Sequence, residues 1–428
     1  MIPQPVRVGI LGCGNVGGAF VGLLAGDATA IAERTGVRLE ISRVAVRDLS
    51  KPRGVALAET VLTDDPQRVV TADDVDVVVE IIGGIEPARS LILDALKAGK
   101  PVVTANKELI ASVGGELFEA AATAGVDLLF EAAVAGGIPL IRPLRESLAG
   151  ERIRRVMGIV NGTTNYILTR MTEEGASYHE ALAEAQSLGY AEPDPTADVE
   201  GFDAAAKAAI VAGIAFGVLV LPADVHREGI TSVTADDIAF ADQLGYAIKL
   251  LAVAERAPSG VGVRVHPTMI PKTHPLAAVR ESFNAVFIEG EAVGELMLYG
   301  RGAGGMPTAS ALLGDLLDAA HNLRSGGSGR TPVLARTAIA PIDELSSQYY
   351  LRIDVADRPG VLAAVAGVFG EHGVSIRSMV QEGLGEEARL IFMTHTARER
   401  DVQATIAGLR QLDAVDRIGT LLRVIGPE

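Results

Sequence analysis

The sequence has little cysteine, few aromatic residues and no uncharged apolar run long enough to span a membrane. Its 428 residues include one cysteine, Cys13, and 4% aromatic residues. A single cysteine excludes an intrachain disulfide and fits a reducing compartment. The longest uncharged apolar run, 208–223, has sixteen residues. A spanning helix needs roughly 20, so this run predicts a buried core helix. The N-terminus lacks a charged region followed by a long apolar segment, and we therefore expect a cytoplasmic protein without a secretory signal.

Positive charge is also scarce. The chain has 38 Lys and Arg against 54 Asp and Glu, a formal net charge of −16, and no basic run stands out. Nucleic acids and anionic membranes both bind positively charged faces, so neither is an expected partner. The length and the 48 glycines instead predict an ordinary globular protein of two or three domains with well-filled cores.

The first 150 residues predict an α/β domain. Short β-branched runs, VRVGIL, EISRVAV, VDVVVEII, KPVVTA and VDLLFEAA, alternate with helical patterns that begin near Val16, Pro87, Lys107 and Pro139. This alternation is typical of a Rossmann-type parallel sheet covered by helices on both faces.

The rest of the chain predicts two further domains. Residues 151–300 mix strand patterns with helices, expected over 178–188 and 203–221, and form an α+β domain. Residues 323–348 contain the flexible stretch SGGSGRTP and are expected to be a linker. Residues 349–428 follow the order βαββαβ, which is that of a ferredoxin-like domain.

A glycine-rich loop follows the first predicted strand. Gly12, Gly14 and Gly17 have the spacing G-x-G-x-x-G and open a predicted helix. The first glycine permits the tight turn, the second lets the backbone approach a pyrophosphate, and the third allows close packing of helix and strand. The helix N-terminus adds amide donors and the positive end of its dipole. The loop therefore predicts dinucleotide binding.

The end of the second strand bears on the choice of cofactor. Arg47 follows this strand, and Lys51 and Arg53 come soon after. An arginine at this place can neutralise a 2′-phosphate, whereas an acid would bond a free 2′-hydroxyl. Asp48 is adjacent, and a solvated charged loop is also compatible with the pattern. We favour NADP(H) and leave NAD(H) open.

A cluster of acids precedes a lysine at the start of the long apolar run. Asp203 and Lys207 are four residues apart, so they share one face of a helix that is otherwise apolar on all sides. Burial lowers the pKa of an amine and carboxylates raise it, and such a lysine can exchange protons near neutral pH. Pro193 and Pro195 stiffen the loop that carries Glu192. The acids suit a ligand with an ammonium group. A divalent metal and an exposed ion pair are the alternatives.

A second lysine follows the strand KPVVTA. Lys107 comes directly after the strand end, with Thr104 and Asn106 beside it. Ligands of open parallel sheets gather outside the carboxyl ends of the strands, which would place Lys107 near a cofactor. An exposed lysine at a helix start explains the spacing equally well.

These motifs resemble those of one known family. The stretch AEAQSLGYAEPDPTADVEGFDAAAK, residues 183–207, closely resembles the signature of homoserine dehydrogenases. VVTANK, EAAVAGGIP, NGTTNYIL and GAGGMPTAS are also similar to that family, so the resemblance covers roughly residues 5–322. It implies reversible reduction of L-aspartate 4-semialdehyde to L-homoserine by NAD(P)H, in the aspartate pathway to threonine, methionine and isoleucine.

The resemblance also implies roles for individual residues. Lys207 would donate a proton to the carbonyl oxygen, and Asp203 would orient Lys207 and the substrate. Glu192 would hold the substrate's ammonium group, with Asp198 in the same substrate site. Lys107 would contact both substrate and cofactor and share the proton transfer.

The cofactor site and a cation loop are implied in the same way. The cofactor set comprises Gly12, Gly14, Asn15, Val16, Gly17, Arg47, Lys51, Thr104, Lys107, Gly162 and Gly305. Residues 161–163 would lie by the nicotinamide, and the turn at 302–305 would return the chain so that about 301–322 completes the cofactor domain. Some members of the family bind a monovalent cation such as Na+ through the loop that matches Glu131, Val134, Gly136 and Ile138.

The C-terminal stretch VADRPGVLAAVAGVFGEHGVSIRSM resembles an ACT domain. Such domains pair and bind an amino acid, here near Asp357, Gly360 and Val361, and pathway logic points to feedback by L-threonine. The family's second domain commonly builds a shared sheet, which implies a homodimer, and effector domains can extend it to a homotetramer. By itself, DRPG is also compatible with a plain turn that starts a helix.

Three rival functions remain to be weighed. An acyl-enzyme aldehyde dehydrogenase needs a thiolate, but Cys13 lies inside the glycine loop. A hydroxyacid dehydrogenase would want a histidine paired with a carboxylate, and arginines for the substrate acid. A non-catalytic sensor of dinucleotide and amino acid is the third, and turnover of aspartate semialdehyde distinguishes it from the enzyme.

Overall fold

The computed structural model describes residues 4–55, 57–329, 331–383 and 387–426. The chain divides into two compact units. Unit 1 contains the residues up to Val156, Ala206–Ala223 and Asn284–Thr337. Unit 2 contains Met157–Ala205, Asp224–Phe283 and the residues from Ala338 onwards. This division differs from the predicted domain 151–300, because three segments of that range, 151–156, 206–223 and 284–300, belong to unit 1.

The helices and strands alternate along most of the chain. The strands are β1 Val6–Leu11, β2 Leu39–Ala45, β3 Leu62–Thr63, β4 Val77–Glu80, β5 Val102–Thr104, β6 Leu128–Leu129, β7 Ile153–Ile159, β8 His226–Arg227, β9 Tyr246–Ala257, β10 Gly260–Pro271, β11 Phe283–Gly290, β12 Gly294–Arg301, β13 Ser346–Ala356, β14 Ile376–Gly383, β15 Glu387–Thr394, β16 Ala397–Arg398 and β17 Val415–Val424. The helices are α1 Asn15–Thr35, α2 Gln67–Thr71, α3 Ala88–Lys97, α4 Lys107–Ala124, α5 Gly162–Glu174, α6 Tyr178–Ser187, α7 Thr196–Val199, α8 Phe202–Phe216, α9 Ala235–Gln243, α10 Gly305–Ser325, α11 Val361–Glu371 and α12 Glu399–Leu409.

Unit 1 is built on a six-stranded parallel sheet in the order β3-β2-β1-β4-β5-β6. This order confirms the predicted Rossmann-type fold. Ile10 of β1 lies in one core with Phe20 of α1 and Leu312 and Leu316 of α10. The core therefore contains a helix from some 300 residues further along the chain. Among the described residues, α1 alone is long and apolar enough to cross a membrane, but its inner face forms part of this core.

Two elements of unit 1 differ from the prediction. The expected strand VDLLFEAA is reduced to Leu128–Leu129, and a 3-10 turn follows at Glu131–Ala133. The helix expected to 221 ends at Phe216. Gly217 takes a left-handed φ of 67° and accepts a hydrogen bond from the N–H of Ala335 at 2.8 Å. After Gly217 the apolar run is no longer helical, and Val218 forms an isolated β-bridge with Ala335.

In unit 2, the strands of the C-terminal domain extend the sheet that contains the hairpin β9–β10. β9 and β10 pair antiparallel along their whole length, and β10 pairs parallel with β17 at Thr268↔Arg423 and Met269↔Val424. The sheet continues in the order β17-β13-β15-β14. This order confirms the predicted ferredoxin-like domain, whose core includes Phe369 of α11 and Phe392 of β15.

The segment predicted as a linker, 323–348, differs at both ends. α10 extends to Ser325 and β13 begins at Ser346. Between them, Ala335 bridges to Val218 in unit 1, and Ile339 bridges to Val261 in unit 2. Arg330 lies outside the described residues. The described part of this segment is thus held to the units by backbone hydrogen bonds.

Candidate active site

The three glycines of the loop have different surroundings: Gly12 and Gly17 are in close contact with backbone atoms, and Gly14 faces open space. Gly12 has a φ of 103°, and a Cβ there would lie 2.8 Å from the carbonyl oxygen of Ile81. A Cβ at Gly17 would lie 2.8 Å from the carbonyl oxygen of Gly12. At Gly14 an added Cβ meets no protein atom within 4 Å. The fold therefore requires glycine at the first and third positions, whereas the second leaves open space at the N-terminus of α1.

A cavity of about 660 Å³ opens beside this loop, within the size range of small-molecule sites. The cationic residues Arg47, Lys51 and Arg53 line one side. Arg53 donates to the carbonyl oxygen of Lys51 at 3.0 Å, so it helps to shape the loop. The carboxylate of Asp48 accepts from the hydroxyl of Ser50 at 2.6 Å and from its N–H at 2.9 Å. Both bonds go to Oδ1, so they hold this oxygen towards its own loop, and they lower the pKa of Asp48.

Cys13 also lines this cavity. Burial raises the pKa of its thiol, which disfavours the thiolate that an acyl-enzyme mechanism needs.

A buried carboxylate that the sequence analysis missed organises the ends of β4 and β5. Glu80 accepts hydrogen bonds from the N–H of Ile82 at 2.8 Å and from the hydroxyl of Thr104 at 2.6 Å. Asn106 caps α4 by accepting from the N–H of Leu109 at 3.1 Å, and Lys107 is the first residue of that helix and is half-buried. The sequence does contain a signal for Glu80, because an acid that ends the apolar strand VVVE indicates a buried carboxylate with a specific role.

Asn161 brings two of the predicted acids together in unit 2. Its side-chain amide donates to Oδ1 of Asp198 at 2.7 Å and to Oδ2 of Asp203 at 2.9 Å. Its oxygen caps α5 by accepting from the N–H of Thr164 at 2.9 Å. Asp203 is buried, and Lys207 follows one turn later on α8 and is half-buried. A fixed pair of carboxylates therefore stands at the start of the helix that carries Lys207.

The other acids of the loop do not join this pair. Glu192 and Asp194 are exposed. Asp194 accepts from the N–H of Thr196 at 3.1 Å, and the hydroxyl and N–H of Thr196 lower the pKa of Asp194. Gln186 donates to the carbonyl oxygen of Glu192 at 3.1 Å, which fixes the backbone there and leaves the carboxylate towards solvent.

Gly162 lies against a turn that two buried polar residues support. A Cβ at Gly162 would be 2.7 Å from the carbonyl oxygen of Ser282. Asn165 donates to the carbonyl oxygen of Glu281 at 2.9 Å, and Glu281 has a left-handed φ of 54°. Lys249 donates to Oδ1 of Asn165 at 3.0 Å, and burial lowers the pKa of Lys249 to about 8. Lys249 was missed, although a lone lysine in the apolar strand YAIKLLAVA is its signal.

The predicted cation loop has an unusual backbone. Ala135 and Gly136 both take left-handed φ values, 57° and 52°. The carboxylate of Glu131 accepts from the N–H groups of Leu140, Ile141 and Arg142, so it caps the helical turn that begins there. Within the described ranges, no group of three or more His, Cys, Asp or Glu side chains is placed to hold a metal ion. The cation loop stays a prediction, in which the ligands would be backbone oxygens of residues 131, 134, 136 and 138.

Two remaining predicted sites lie at helix starts. Gly305 begins α10, where an added Cβ would be 3.3 Å from Asn15 Oδ1 at the start of α1. In the C-terminal domain, a cavity of about 380 Å³ is lined by Asp357, Gly360, Val361 and Gln381. Gly360, with a φ of 91°, is the N-cap of α11.

The chain is similar to known proteins along its whole length. Residues 12–131 match the family "Homoserine dehydrogenase, NAD binding domain", residues 139–317 match "Homoserine dehydrogenase", and residues 349–414 match "ACT domain". The homoserine dehydrogenase of Corynebacterium glutamicum is 51% identical over 427 residues, which cover 98% of this chain and 95% of that protein. That of Bacillus subtilis is 44% identical over 429 residues, 99% of each chain.

Solved structures give the same result. A homoserine dehydrogenase from Thiobacillus denitrificans superposes with a TM-score of 0.93 at 44% identity, covering 99% of this chain and 98% of that one. A hyperthermophilic archaeal homoserine dehydrogenase in complex with NADPH has a TM-score of 0.62 at 29% identity, covering 74% of this chain and 98% of that one.

Proposed function

The chain belongs to the homoserine dehydrogenase family, and we propose that it reduces L-aspartate 4-semialdehyde to L-homoserine with NADPH in the cytoplasmic aspartate pathway. It is an oxidoreductase with a nucleotide-binding domain and a C-terminal ACT domain. The observation that carries the proposal is that Asn161 binds both Asp198 and Asp203. Asp203 lies one helical turn before Lys207 on α8. The amine of Lys207, next to these fixed carboxylates, can then contact the carbonyl oxygen of a bound substrate.

Lys207 acts as the proton donor in this proposal. When bound, a nicotinamide cofactor would supply the hydride for the aldehyde carbon, and negative charge would develop on the carbonyl oxygen. The Lys207 ammonium stabilises this charge and transfers a proton to the oxygen. Asp203 orients Lys207, and Lys107 at the start of α4 contacts substrate and cofactor.

The acidic loop, residues 192–203, binds the amino-acid end of the substrate. Glu192 is exposed and its backbone is fixed by Gln186, which leaves its carboxylate available to the substrate's ammonium group. Asp198 belongs to the same site through its bond to Asn161. Glu192→Gln should chiefly raise KM for the semialdehyde.

Kinetics of a Lys207 variant test the reaction. Lys207→Ala should lower kcat by about 10²–10⁴-fold, the usual size of a general-acid contribution, while NADPH affinity measured by fluorescence stays near the wild-type value. The exposed Lys97 serves as a control, and Lys97→Ala should turn over normally. Near-normal oxidation of NADPH by Lys207→Ala with L-aspartate semialdehyde would remove Lys207 from the chemistry.

The cofactor loop supports NADP(H) over NAD(H). Arg47 and Lys51 line the cavity as cations, and the carboxylate of Asp48 is bonded to Ser50. A 2′-phosphate would therefore meet positive charge, whereas the acid that could bond a free 2′-hydroxyl is engaged elsewhere. The structure of the related archaeal homoserine dehydrogenase is that of a complex with NADPH. A separate site is proposed in the loop 131–138, where backbone oxygens around Ala135 and Gly136 would bind a monovalent cation such as Na+.

The ACT domain supports regulation by an amino acid. The cavity at Asp357, Gly360 and Val361 opens at the N-terminus of α11, where backbone N–H groups can bind a carboxylate. We take L-threonine as the effector and a homodimer or homotetramer as the assembly. NADPH oxidation with and without L-threonine, in wild type and in Asp357→Ala, tests the effector, and inhibition that survives this substitution argues against the site.

A further inference from the structure

A buried ionic cluster lies where β17 of the ACT domain pairs with β10. Arg423 on β17 is 2% exposed. It forms a bidentate pair with Glu399 at the start of α12, with Nε to Oε2 at 2.9 Å and Nη2 to Oε1 at 2.8 Å. The hydroxyl of Tyr349 donates to the same Glu399 at 2.9 Å. This part of the cluster lies wholly within the ACT domain.

The same guanidinium group also reaches outside that domain. Nη2 of Arg423 lies 2.8 Å from Oε1 of Glu228, and Nε2 of His226 lies 2.8 Å from the same oxygen. Burial raises the pKa of Glu228, but the hydrogen bonds with His226 and Arg423 outweigh it and hold the pKa well below its usual range. Glu228 therefore stays ionised, and the contact with Arg423 persists across the pH range of ordinary assays.

The residues after Glu228 pack directly against the acidic loop. The N–H of Ile230 donates to the carbonyl oxygen of Val199 at 2.8 Å. A Cβ at Gly229 would lie 2.7 Å from the Cα of Glu200, so the two backbones are in close contact. The hydroxyl of Thr231 donates to the carboxylate of Glu200 at 3.1 Å. Residues 199 and 200 lie between Asp198 and Asp203, the two acids that Asn161 holds together.

We propose that Arg423 is a positioning residue for the substrate site: through Glu228 it holds segment 228–231 against the acidic loop and so fixes Asp198 and Asp203. The last strand of the ACT domain is then a structural part of the reaction site. This inference rests on the proposed function for the kinetic part of its test. Small displacements of positioning groups reduce rates up to about a hundredfold.

Glu228→Gln is the test variant, because it weakens the link to segment 228–231 and leaves the pair of Arg423 with Glu399 in place. Removing Arg423 itself would leave Glu399 as a buried, unpaired charge and threaten folding. The control is Glu116→Gln, which makes the same change of carboxylate to amide in a pair with Arg89 on the surface of unit 1. Glu228→Asp, which keeps the charge, serves as the conservative variant.

Kinetics and hydrogen exchange are measured on the full-length protein. We expect Glu228→Gln to raise KM for L-aspartate semialdehyde roughly tenfold, to leave KM for NADPH unchanged, and to speed amide exchange at residues 198–203. Glu228→Asp should recover part of the loss, and Glu116→Gln should match the wild type in both measurements.

The two proposals fail in different ways. If the wild type does not reduce the semialdehyde, the proposed function is wrong, and exchange at residues 198–203 still decides the link to Arg423. If exchange and KM in Glu228→Gln match those of Glu116→Gln, the positioning role is wrong whatever the wild-type activity.

Discussion

Replacing Asn161 should separate its two tasks, capping α5 and holding a pair of carboxylates. Its oxygen accepts from the N–H of Thr164, and its amide donates to Asp198 and Asp203. A helix cap contributes about 1 kcal/mol, and each hydrogen bond to a charged group contributes about 1.5 kcal/mol. Asn161→Ala should therefore lower the free energy of unfolding by about 4 kcal/mol. Asn161→Ser keeps a capping oxygen and should lose about 3 kcal/mol.

Urea titrations followed by circular dichroism measure the stability difference, and steady-state kinetics measure the effect on the site. Both variants should lose about a hundredfold in kcat/KM for the semialdehyde, because Asp203 is no longer fixed before Lys207. Asn322, which donates to Asp127 at 2.8 Å, provides the control. Asn322→Ala should lose about 1.5 kcal/mol, the contribution of one hydrogen bond to a charged group, and keep its kinetics. Wild-type kinetics in Asn161→Ser would refute the idea that the amide organises the acids.

Three further perturbations test other parts of the structure. Gly14→Ala should lose less than about 1 kcal/mol of stability, because its φ of −83° suits alanine and no protein atom lies near the new Cβ. It should nevertheless raise KM for NADPH at least tenfold, whereas Gly26→Ala should leave that KM unchanged. Arg47→Ala should lower the ratio of kcat/KM with NADPH to that with NADH by about tenfold, and the exposed Arg38→Ala should preserve the ratio; an unchanged ratio in Arg47→Ala would contradict the 2′-phosphate contact. Burial lowers the pKa of Lys249 from 10.5 to about 8, so between these values the unfolded chain binds the extra proton and stability rises with pH. In urea titrations at pH 7.5 and pH 10, the wild type should gain stability relative to Lys249→Met at the higher pH, and parallel pH curves would contradict the assigned shift.

The parts of the fold that the sequence predicts are those with local signals. The order of strands and helices in unit 1 follows from alternating patterns, and the glycine loop follows from its spacing together with its place between a predicted strand and a predicted helix. The end of α8 gives no such signal, because the residues on both sides of Gly217 are equally apolar. Its left-handed φ and its partner Ala335 depend on a segment more than a hundred residues away. Hydrophobicity alone therefore extends the helix too far.

Glu131 shows the same limit in the site. The resemblance assigned it to a cation loop, which gives a role to its backbone oxygen but not to its side chain. Its carboxylate binds three successive N–H groups at residues 140–142, a contact that exists only once the chain turns back on itself. The pairing of β17 with both β10 and β13 in unit 2 also depends on contacts that are distant in the sequence. No pattern within these strands specifies it.

The chemistry of the amide group explains why Asn161 was harder to identify than the acids around it. Two carboxylates close together repel each other, and each needs hydrogen-bond donors to remain charged. A side-chain amide has two N–H donors on one nitrogen, and here each carboxylate takes one of them. Asn161 can therefore hold Asp198 and Asp203 at once without adding a charge that would compete with Lys207 for them. The resemblance places residues 161–163 beside the nicotinamide but does not link Asn161 to the acids, because its two partners lie 37 and 42 positions away.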